Sequence, residues 1–265
     1  MTEQQQPTNV ETIRAEVRDH VGTITLDRPA QRNALTSSVL AEISQMLDAW
    51  EAEEAVRGIV LTGSGPKAFA AGADISELAG WTLTDGLAAP MQRLCDRIQD
   101  FPKPTLAALN GVAMGGGLEL AMSCDIRIAA DHATMALPEV GLGVLPGAGG
   151  TQRLSRLVGT GRALEMILTG RTLTAEQAER YGLVTTVVPA ADLLSTAAEI
   201  MATVLGKGPL AIRLAKLVID PGSDTDQRTG LLLEQLAQTL LYTTEDKAEG
   251  AAAFLAKRAP EFDGR

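Results

Sequence analysis

The sequence predicts an α/β protein, and three observations lead to this class. The chain has 265 residues, of which 45% are hydrophobic and 21% are charged, a composition typical of a globular protein. Short strand-like runs rich in Val, Ile, Leu and Thr alternate with helical patterns over most of the chain. After about residue 190 the strand-like runs end and helical patterns continue alone. We therefore expect an α/β core followed by a helical C-terminal region.

The elements of the core are predicted in chain order. Apolar runs bounded by turn residues predict strands at 13–17, 21–26, 58–62, 105–109, 125–129 and 184–188. Thr36 or Ser37 is a candidate N-cap for a helix that continues to about residue 55. Periodicity predicts another helix over 85–99, and Thr174 and Gln177 have the capping-box spacing that precedes a short helix. The first helix is expected to bury one face, formed by Leu40, Ile43, Met46, Leu47 and Trp50.

The C-terminal part is predicted to be helical at 191–205, 209–219, 229–240 and 245–258, with a loop at 221–224. These helices need an apolar surface to cover, either the core of the same chain or another subunit. We expect a flexible tail over residues 1–10, a core over 11–200 and the helical region over 201–265.

Charge and composition disfavour several kinds of protein. With 23 Lys and Arg against 33 Asp and Glu, the net charge of −10 disfavours nucleic-acid binding. Cys95 and Cys124 are too few for a disulfide framework or a cysteine-based zinc site and are expected to be reduced and buried. His20 and His132 are each expected to lie at the surface or to have their hydrogen bonds satisfied within the protein, so no metal site is predicted. No apolar run reaches the roughly 18 residues of a membrane span, and no signal-peptide pattern is seen. We therefore expect a soluble, cytoplasmic protein that does not contact membranes.

Familiar catalytic motifs are missing, and glycine-rich loops beside isolated acids stand out instead. The sequence has no P-loop spacing, no Gly-x-Ser-x-Gly turn and no His-Glu-x-x-His, and Pro146 stands where a dinucleotide fingerprint needs its last glycine. The loops lie at 69–75, 110–122 and 136–153. For the first, the alternative is a tight strand-to-helix turn capped by Asp74.

Glu119 and Glu139 are single acids in apolar, glycine-rich surroundings. Glu119 follows three consecutive glycines, which begin a helix poorly unless their N–H groups must reach an oxygen. Its apolar neighbours predict a perturbed pKa, although a dipole-compensating acid at a helix N-terminus is the alternative. Two such acids are typical of acid–base catalysis. The carboxylate pair of a glycosidase is a rival hypothesis, which the low aromatic content of 3% disfavours.

Short motifs follow one another along nearly the whole chain, beginning with Asp-Arg-Pro at 27–29 and Asn-Ala-Leu at 33–35 and continuing at 69–75, 103–104, 110–119, 124–125, 138–139, 146–153, 182–184 and 254–258. In this order and at this spacing, the chain resembles the crotonase superfamily, and most closely the enoyl-CoA hydratases. The resemblance implies a crotonase-like spiral of ββα turns with a C-terminal helical region used for trimerisation. It also implies a homotrimer, or a hexamer formed by two trimers.

The resemblance implies roles for particular residues. The N–H groups of Ala73 and Gly116 would form an oxyanion hole for a thioester carbonyl, and Glu119 and Glu139 would be the catalytic carboxylates. The substrate would be an acyl-CoA thioester, and no separate cofactor is expected because coenzyme A is part of the substrate. Substrate-binding residues would be Arg28, Ala71, Asp74, Ile75, Gly147 and Lys257, the last of them in the same or a neighbouring subunit. For Arg28 and Lys257 the alternative is an ordinary solvated cation.

Hydration of 2-enoyl-CoA to 3-hydroxyacyl-CoA is the function that this resemblance favours. The alternatives are Δ3–Δ2-enoyl-CoA isomerisation, another acyl-CoA reaction on the same fold, and a non-catalytic acyl-CoA-binding protein. Isomerisation needs mainly one carboxylate, so the presence of both Glu119 and Glu139 favours hydration. Leu137 departs from the polar residue that many hydratases carry there, and the segment 78–91, with Trp81 and Pro90, is expected to shape the acyl pocket.

Overall fold

The computed structural model describes residues 8–9 and 12–265. The strands in these residues are β1 (Thr8–Asn9), β2 (Ile13–Arg18), β3 (Val21–Leu26), β4 (Gly58–Gly63), β5 (Ala68–Ala70), β6 (Thr105–Leu109), β7 (Val112–Met114), β8 (Ile126–Ala130), β9 (Thr134–Ala136), β10 (Leu173–Thr174) and β11 (Thr186–Val188).

The helices are α1 (Ser37–Ala52), α2 (Ile75–Leu78), α3 (Leu83–Ala88), α4 (Pro90–Gln99), α5 (Gly116–Met122), α6 (Gly150–Val158), α7 (Thr160–Thr169), α8 (Ala175–Tyr181), α9 (Leu193–Leu205), α10 (Pro209–Ser223), α11 (Gln227–Leu241) and α12 (Glu245–Leu255). Short 3-10 helices lie at Pro29–Gln31, Glu139–Leu142 and Ala190–Asp192.

The strands form two sheets, and the chain alternates between them. The larger sheet has the order β1-β2-β3-β4-β6-β8-β11 and is parallel from β3 onward, while the smaller has the order β10-β9-β7-β5 and is parallel from β9 to β5. The pairs β4 and β5, β6 and β7, and β8 and β9 each place one strand in the large sheet and the next in the small sheet before a helix follows. Each repeat is therefore one ββα turn of a spiral, as the resemblance implies.

The core lies against the large sheet. Strands β4 and β6 are buried almost throughout, as expected for parallel strands covered on both faces. Helix α1 begins at the predicted cap, where the Thr36 side chain accepts a hydrogen bond from the Val39 N–H at 3.3 Å. Its buried face includes Ile43, Leu47 and Trp50, which confirms most of the predicted apolar face.

All six predicted strands are present, as β2, β3, β4, β6, β8 and β11, with small shifts of their ends. The small sheet was not predicted. Its strands are two or three residues long, too short for an alternation of apolar and polar residues to be seen in the sequence.

Two helix predictions need correction. The helix expected over 85–99 is two helices, because Ala89 has a left-handed backbone (φ 44°) and Pro90 begins α4. Proline disfavours a helical conformation in the residue before it. The loop expected at 221–224 begins later, since α10 continues to Ser223 with Pro221 in its last turn. A proline costs least near a helix end, where few hydrogen bonds remain to be lost.

The chain divides into two compact units. One contains the described residues up to 101 together with 105–198, and the other contains 102–104 and 199–265. In the second unit, α10 and α11 pack against each other. Most of the tail expected at 1–10 lies outside the described residues, although residues 8 and 9 pair with β2.

Further predictions concern cysteines, histidines and membrane segments. Cys95 and Cys124 are buried and are not joined in a disulfide, and His20 and His132 are exposed, as predicted. Among the helices that the structure describes, none combines the length and apolar composition needed to cross a bilayer.

Candidate active site

The candidate site lies at the ends of three neighbouring strands. Strands β5, β7 and β9 are adjacent and parallel in the small sheet. Their carboxyl ends therefore meet at one edge, where ligands commonly bind in sheets of this kind. Ala73 follows β5, Gly116 follows β7 and Glu139 follows β9. Residues that are far apart in the sequence are thus brought together by the topology of the small sheet.

Glycines allow the loops at this edge to approach one another. A Cβ atom on Gly117 would lie 2.1 Å from the Ala70 carbonyl oxygen, so α5 can pack against β5 only with glycine there. Gly115 has φ +52°, and a Cβ on it would lie 3.0 Å from Oε1 of Glu139. Gly115 and Gly117, two of the three glycines before Glu119, are therefore required for close packing at the site.

Two backbone N–H groups that have no protein acceptor among the described residues lie close together at this edge. The Leu35 N–H donates to the Gly72 carbonyl at 2.8 Å and the Asp74 N–H to the Leu35 carbonyl at 3.0 Å, which leaves the intervening Ala73 N–H directed away from that pairing. Gly116 is the first residue of α5, so its N–H has no partner within the helix. A Cβ on Gly116 would lie 3.6 Å from the Ala73 nitrogen. Within the described part of the chain, neither N–H donates to a protein acceptor.

Glu119 is held by two backbone donors. It lies in the first turns of α5, where its side chain is 3% exposed. Its Oε1 accepts the N–H of Ala148 and the N–H of Gly150, each at 2.8 Å. Burial raises the pKa of Glu119, whereas these two hydrogen bonds and the charge of Arg153 oppose that rise. The site thus provides stabilisation for the ionised form of Glu119.

The carboxyl group of Glu139, unlike that of Glu119, accepts no hydrogen bond from the described residues. Glu139 begins the 3-10 helix that follows β9, and both its carboxyl oxygens are buried without a hydrogen-bond partner among the described residues. Burial, with a smaller contribution from the nearby Glu119 carboxylate, raises the pKa of Glu139 to about 7. The pKa of each acid is raised by burial, but only Glu119 has N–H donors and a nearby cation that oppose the rise. Glu139 lacks that opposition and is the better candidate for the protonated acid.

Both acids and both N–H groups line one cavity of about 300 Å³. Its remaining wall is mostly apolar and includes Trp81, Met91 and Leu145. The cavity brings together seven of the ten residues that the sequence and the resemblance select: Ala71, Ala73, Ile75, Gly116, Glu119, Glu139 and Gly147.

The other three do not line the cavity. Arg28 donates from Nη1 to the Ala34 carbonyl at 2.8 Å and lies 3.8 Å from Oδ2 of Asp74. Asp74 is the N-cap of α2, where it accepts the Ser76 N–H at 3.1 Å, so the helix-cap interpretation describes its local contacts. Lys257 lies in the second unit just beyond α12, with a left-handed backbone (φ 53°).

Comparison with known proteins decides the family. The model of the enoyl-CoA hydratase/isomerase family matches residues 16–265. The chain is 42% identical to a short-chain-enoyl-CoA hydratase of Clostridium acetobutylicum, over 91% of this chain and 93% of that protein. It is also 42% identical to a 2,3-dehydroadipyl-CoA hydratase of Escherichia coli, over 91% of this chain and 94% of that protein. The chain belongs to the enoyl-CoA hydratase/isomerase family.

The fold agrees with this family assignment. The crystal structure of an enoyl-CoA hydratase from Bacillus anthracis superposes with a TM-score of 0.93 at 42% identity, covering 96% of this chain and 100% of that one. The α/β class and the C-terminal helices predicted from the sequence, and the spiral of ββα turns implied by the resemblance, are therefore confirmed for this family member.

Several residues of the site were missed by sequence reasoning. The side chains of Leu142, Val144 and Leu145 line the cavity, and the amides of Ala148 and Gly150 bind Glu119. All lie in the glycine-rich segment 136–153 that the sequence singles out, but the pattern does not say which atoms face inward. Leu137 is fully buried and does not line the cavity, so its apolar character does not change the lining.

Proposed function

We propose that this protein is an enoyl-CoA hydratase, which adds water across the C2=C3 bond of a 2-enoyl-CoA thioester to give a 3-hydroxyacyl-CoA. One observation carries the proposal. A single apolar cavity contains two carboxyl groups, one held by backbone N–H donors and one without a hydrogen-bond partner in the described part of the chain, together with two N–H groups that have no protein acceptor there. The names of the relatives at 42% identity support the same activity.

The N–H pair would stabilise the charge that develops during the reaction. When water attacks C3, the electrons of the double bond move toward the thioester and negative charge accumulates on its carbonyl oxygen. Fixed donors aimed at such an oxygen stabilise it without reorganising, and losing one typically costs about 10²–10³ in rate. Ala73 and Gly116 are the donors that we assign to this role.

The two acids would divide the proton transfers between them. Glu119 accepts two N–H bonds and is assigned as the carboxylate base that takes a proton from the attacking water. Glu139 is assigned as the acid that delivers its proton to C2. The hydroxyl group is then on C3 and the new hydrogen on C2. The cycle closes when the proton held by Glu119 passes to Glu139.

Binding of the coenzyme A part is proposed from the resemblance together with the position of the loops. Residues 71–73 and Ile75 line the cavity, and Arg28 lies 3.8 Å from the Asp74 carboxylate between them in sequence. Lys257 is proposed to contribute a further cation to the CoA phosphates. No other cofactor is needed, because hydration changes no redox state and coenzyme A arrives with the substrate.

Assembly into a trimer or hexamer is also proposed. Apolar side chains on the C-terminal helices are exposed in the single chain, and such surfaces commonly mark contacts between subunits. They include Leu217, Ile219, Leu236, Leu240 and Phe254. A cytoplasmic location remains a prediction from the sequence.

The decisive assay follows the absorbance of the conjugated thioester. Hydration of crotonyl-CoA removes the conjugation and lowers the absorbance, whereas isomerisation of a 3-enoyl-CoA creates it. We expect a fall with crotonyl-CoA that Glu119→Gln abolishes. Activity on a 3-enoyl-CoA alone, retained in Glu119→Gln, would instead identify an isomerase. Tight binding without either reaction would identify a non-catalytic acyl-CoA-binding protein.

A further inference from the structure

Arg153 connects three parts of the structure without entering the cavity. It lies on α6, its side chain is 13% exposed, and its guanidinium makes three directed contacts. Nη1 donates to the Ala148 carbonyl at 2.9 Å, Nε to Oε1 of Gln99 at 2.7 Å, and Nη2 pairs with Oδ1 of Asp96 at 2.7 Å. The planar fork of arginine suits such a set of contacts, and lysine could not reproduce it.

Ala148 is the residue through which Arg153 reaches the site. Its carbonyl accepts the Arg153 guanidinium, while its own N–H donates to Glu119 at 2.8 Å. The next residue in the chain, Gly149, has a left-handed backbone with φ +96°. A Cβ on Gly149 would lie 2.0 Å from Nη1 of Arg153, so glycine leaves the space that the guanidinium occupies.

We propose that Arg153 is a positioning residue for Glu119: by fastening Ala148 to α4, it holds the amides of Ala148 and Gly150 where they bind the Glu119 carboxylate. This inference rests on the proposed function, because it takes Glu119 as the base. Asp96 and Gln99 lie on α4, whose first turn carries the cavity residue Met91. Arg153 therefore joins the loop that holds Glu119 to the helix that forms part of the cavity wall.

The charges around Glu119 give Arg153 a second effect. The ionisable groups coupled to Glu119 in the described residues are Glu139 on its 3-10 helix, Cys95 on α4 and Arg153 on α6, and Asp96 is paired with Arg153. Burial raises the pKa of the Cys95 thiol, which therefore stays neutral. Arg153 is the only cation in this set, and it lowers the pKa of Glu119. Removing it should make Glu119 ionise at higher pH.

The test compares Arg153→Gln with Arg156→Gln, the same substitution at an exposed residue one turn along the same helix. For Arg153→Gln we expect kcat to fall on the order of 10²-fold, the loss typical of a small misplacement of a catalytic group. KM should change little because Arg153 does not line the cavity. The acidic limb of the pH profile of kcat/KM should move to higher pH, and Arg156→Gln should behave as wild type.

An unchanged kcat and an unchanged acidic limb in folded Arg153→Gln would overturn the proposal, and so would a loss confined to KM. If Arg153→Gln does not fold, Arg153→Lys is the second variant. It keeps the charge but not the fork, so kcat should still fall while the acidic limb moves less. A wild-type rate in Arg153→Lys would show that the directed contacts are not needed and would equally overturn the proposal.

A readout independent of turnover separates this inference from the proposed function. The carboxyl carbons of ¹³C-labelled glutamates are titrated by NMR, and the Glu119 signal is identified by its absence in Glu119→Gln. The pKa of Glu119 should be higher in Arg153→Gln than in wild type and in Arg156→Gln. That shift in a protein without hydratase activity would support the positioning role while refuting the proposed function. If the pKa of Glu119 were the same in Arg153→Gln and wild type while the enzyme was an active hydratase, the positioning role would be refuted and the proposed function supported.

Discussion

The Gly150 amide and the Glu119 carboxylate are matched so closely that only glycine fits. The N–H of Gly150 donates to Oε1 of Glu119 at 2.8 Å, and a Cβ on Gly150 would lie 2.7 Å from that same oxygen. The hydrogen bond therefore depends on the absence of a side chain. The glycines at 149 and 150 shape the binding of Glu119 as well as the path of the chain.

Gly150→Ala is expected to displace the Glu119 carboxylate. The new methyl group would also lie 2.7 Å from Cβ of Pro146, so neither neighbour can be avoided by rotation. We expect kcat for crotonyl-CoA to fall by about 10²-fold, as a small misplacement of a catalytic group can cause. Gly161→Ala is the control, because nothing lies within 4 Å of its added Cβ. Equal rates in the two variants would contradict this account of the Glu119 site.

Neighbouring glycines in α5 should respond differently to alanine. A Cβ on Gly117 would lie 2.1 Å from the Ala70 carbonyl oxygen, and we expect Gly117→Ala to lower the free energy of unfolding by about 1–3 kcal/mol, as overpacking typically does. On Gly116 the nearest atoms would be 3.6 Å away, so Gly116→Ala should fold normally. Its methyl group would narrow the space beside the Ala73 N–H, so activity should fall. Thermal unfolding and the crotonyl-CoA assay together test this contrast, which a uniform effect of both variants would refute.

The protonation of Glu139 should set the basic limb of the pH profile. Because the acid form delivers a proton and the pKa of Glu139 is raised to about 7, kcat/KM should decline as pH rises through that value. Glu139→Gln should lose nearly all hydration, since an amide cannot give up a proton. A basic limb that stays flat well above pH 7 would assign the acid to another group.

The same group should affect stability with a defined sign. A carboxyl whose pKa is raised on folding favours the folded state below the unfolded pKa of 4.5, and this contribution is lost as pH rises through about 7. As pH rises from 4.5 to about 7, the free energy of unfolding of wild type should therefore fall relative to that of Glu139→Gln. Denaturant unfolding of both proteins at pH 5 and pH 8 measures the difference. If wild type and Glu139→Gln differed by the same free energy of unfolding at pH 5 and at pH 8, Glu139 would already be ionised at pH 5.

The cavity lining predicts a preference among acyl groups. The chain is equally similar to a short-chain-enoyl-CoA hydratase and to a 2,3-dehydroadipyl-CoA hydratase, so identity does not separate the two substrates. Among the described residues, no Lys, Arg or His lines the cavity, and the two ionisable side chains in its wall are the acids Glu119 and Glu139. A second carboxylate would be buried without a partner, at a cost that corresponds to roughly tenfold or more in kcat/KM. Crotonyl-CoA should thus exceed 2,3-dehydroadipyl-CoA, and the opposite order would contradict an apolar acyl site.

The sequence identified the acids of the site but not what holds them. Glu119 and Glu139 could be singled out because each is a lone acid among small and apolar residues, although for Glu119 a dipole-compensating acid at a helix N-terminus explains the same pattern. The donors that hold Glu119 are main-chain groups of Ala148 and Gly150, about which residue type carries no information. Arg153 and Asp96 meet only because α4 and α6 come together in the fold.

Some elements of the fold could likewise be predicted from the sequence, and others could not. Long buried runs such as β4 and β6 could be predicted from composition and length. The three-residue strands β5, β7 and β9 could not, although their shared edge is what brings the site together. The break at Ala89 follows from Pro90, a local rule that the helical periodicity of 85–99 concealed.

In the proposed reaction, one thioester oxygen meets two N–H donors while two carboxyl groups face C2 and C3. A crystal structure with butyryl-CoA, a saturated ligand that cannot be hydrated, would show whether the site binds a thioester in this way. We expect the thioester oxygen at about 2.7–3.1 Å from the nitrogens of both Ala73 and Gly116, with the Glu119 and Glu139 carboxyl groups on C2 and C3. A thioester oxygen bound elsewhere, or carboxyl groups turned away from those carbons, would contradict the account.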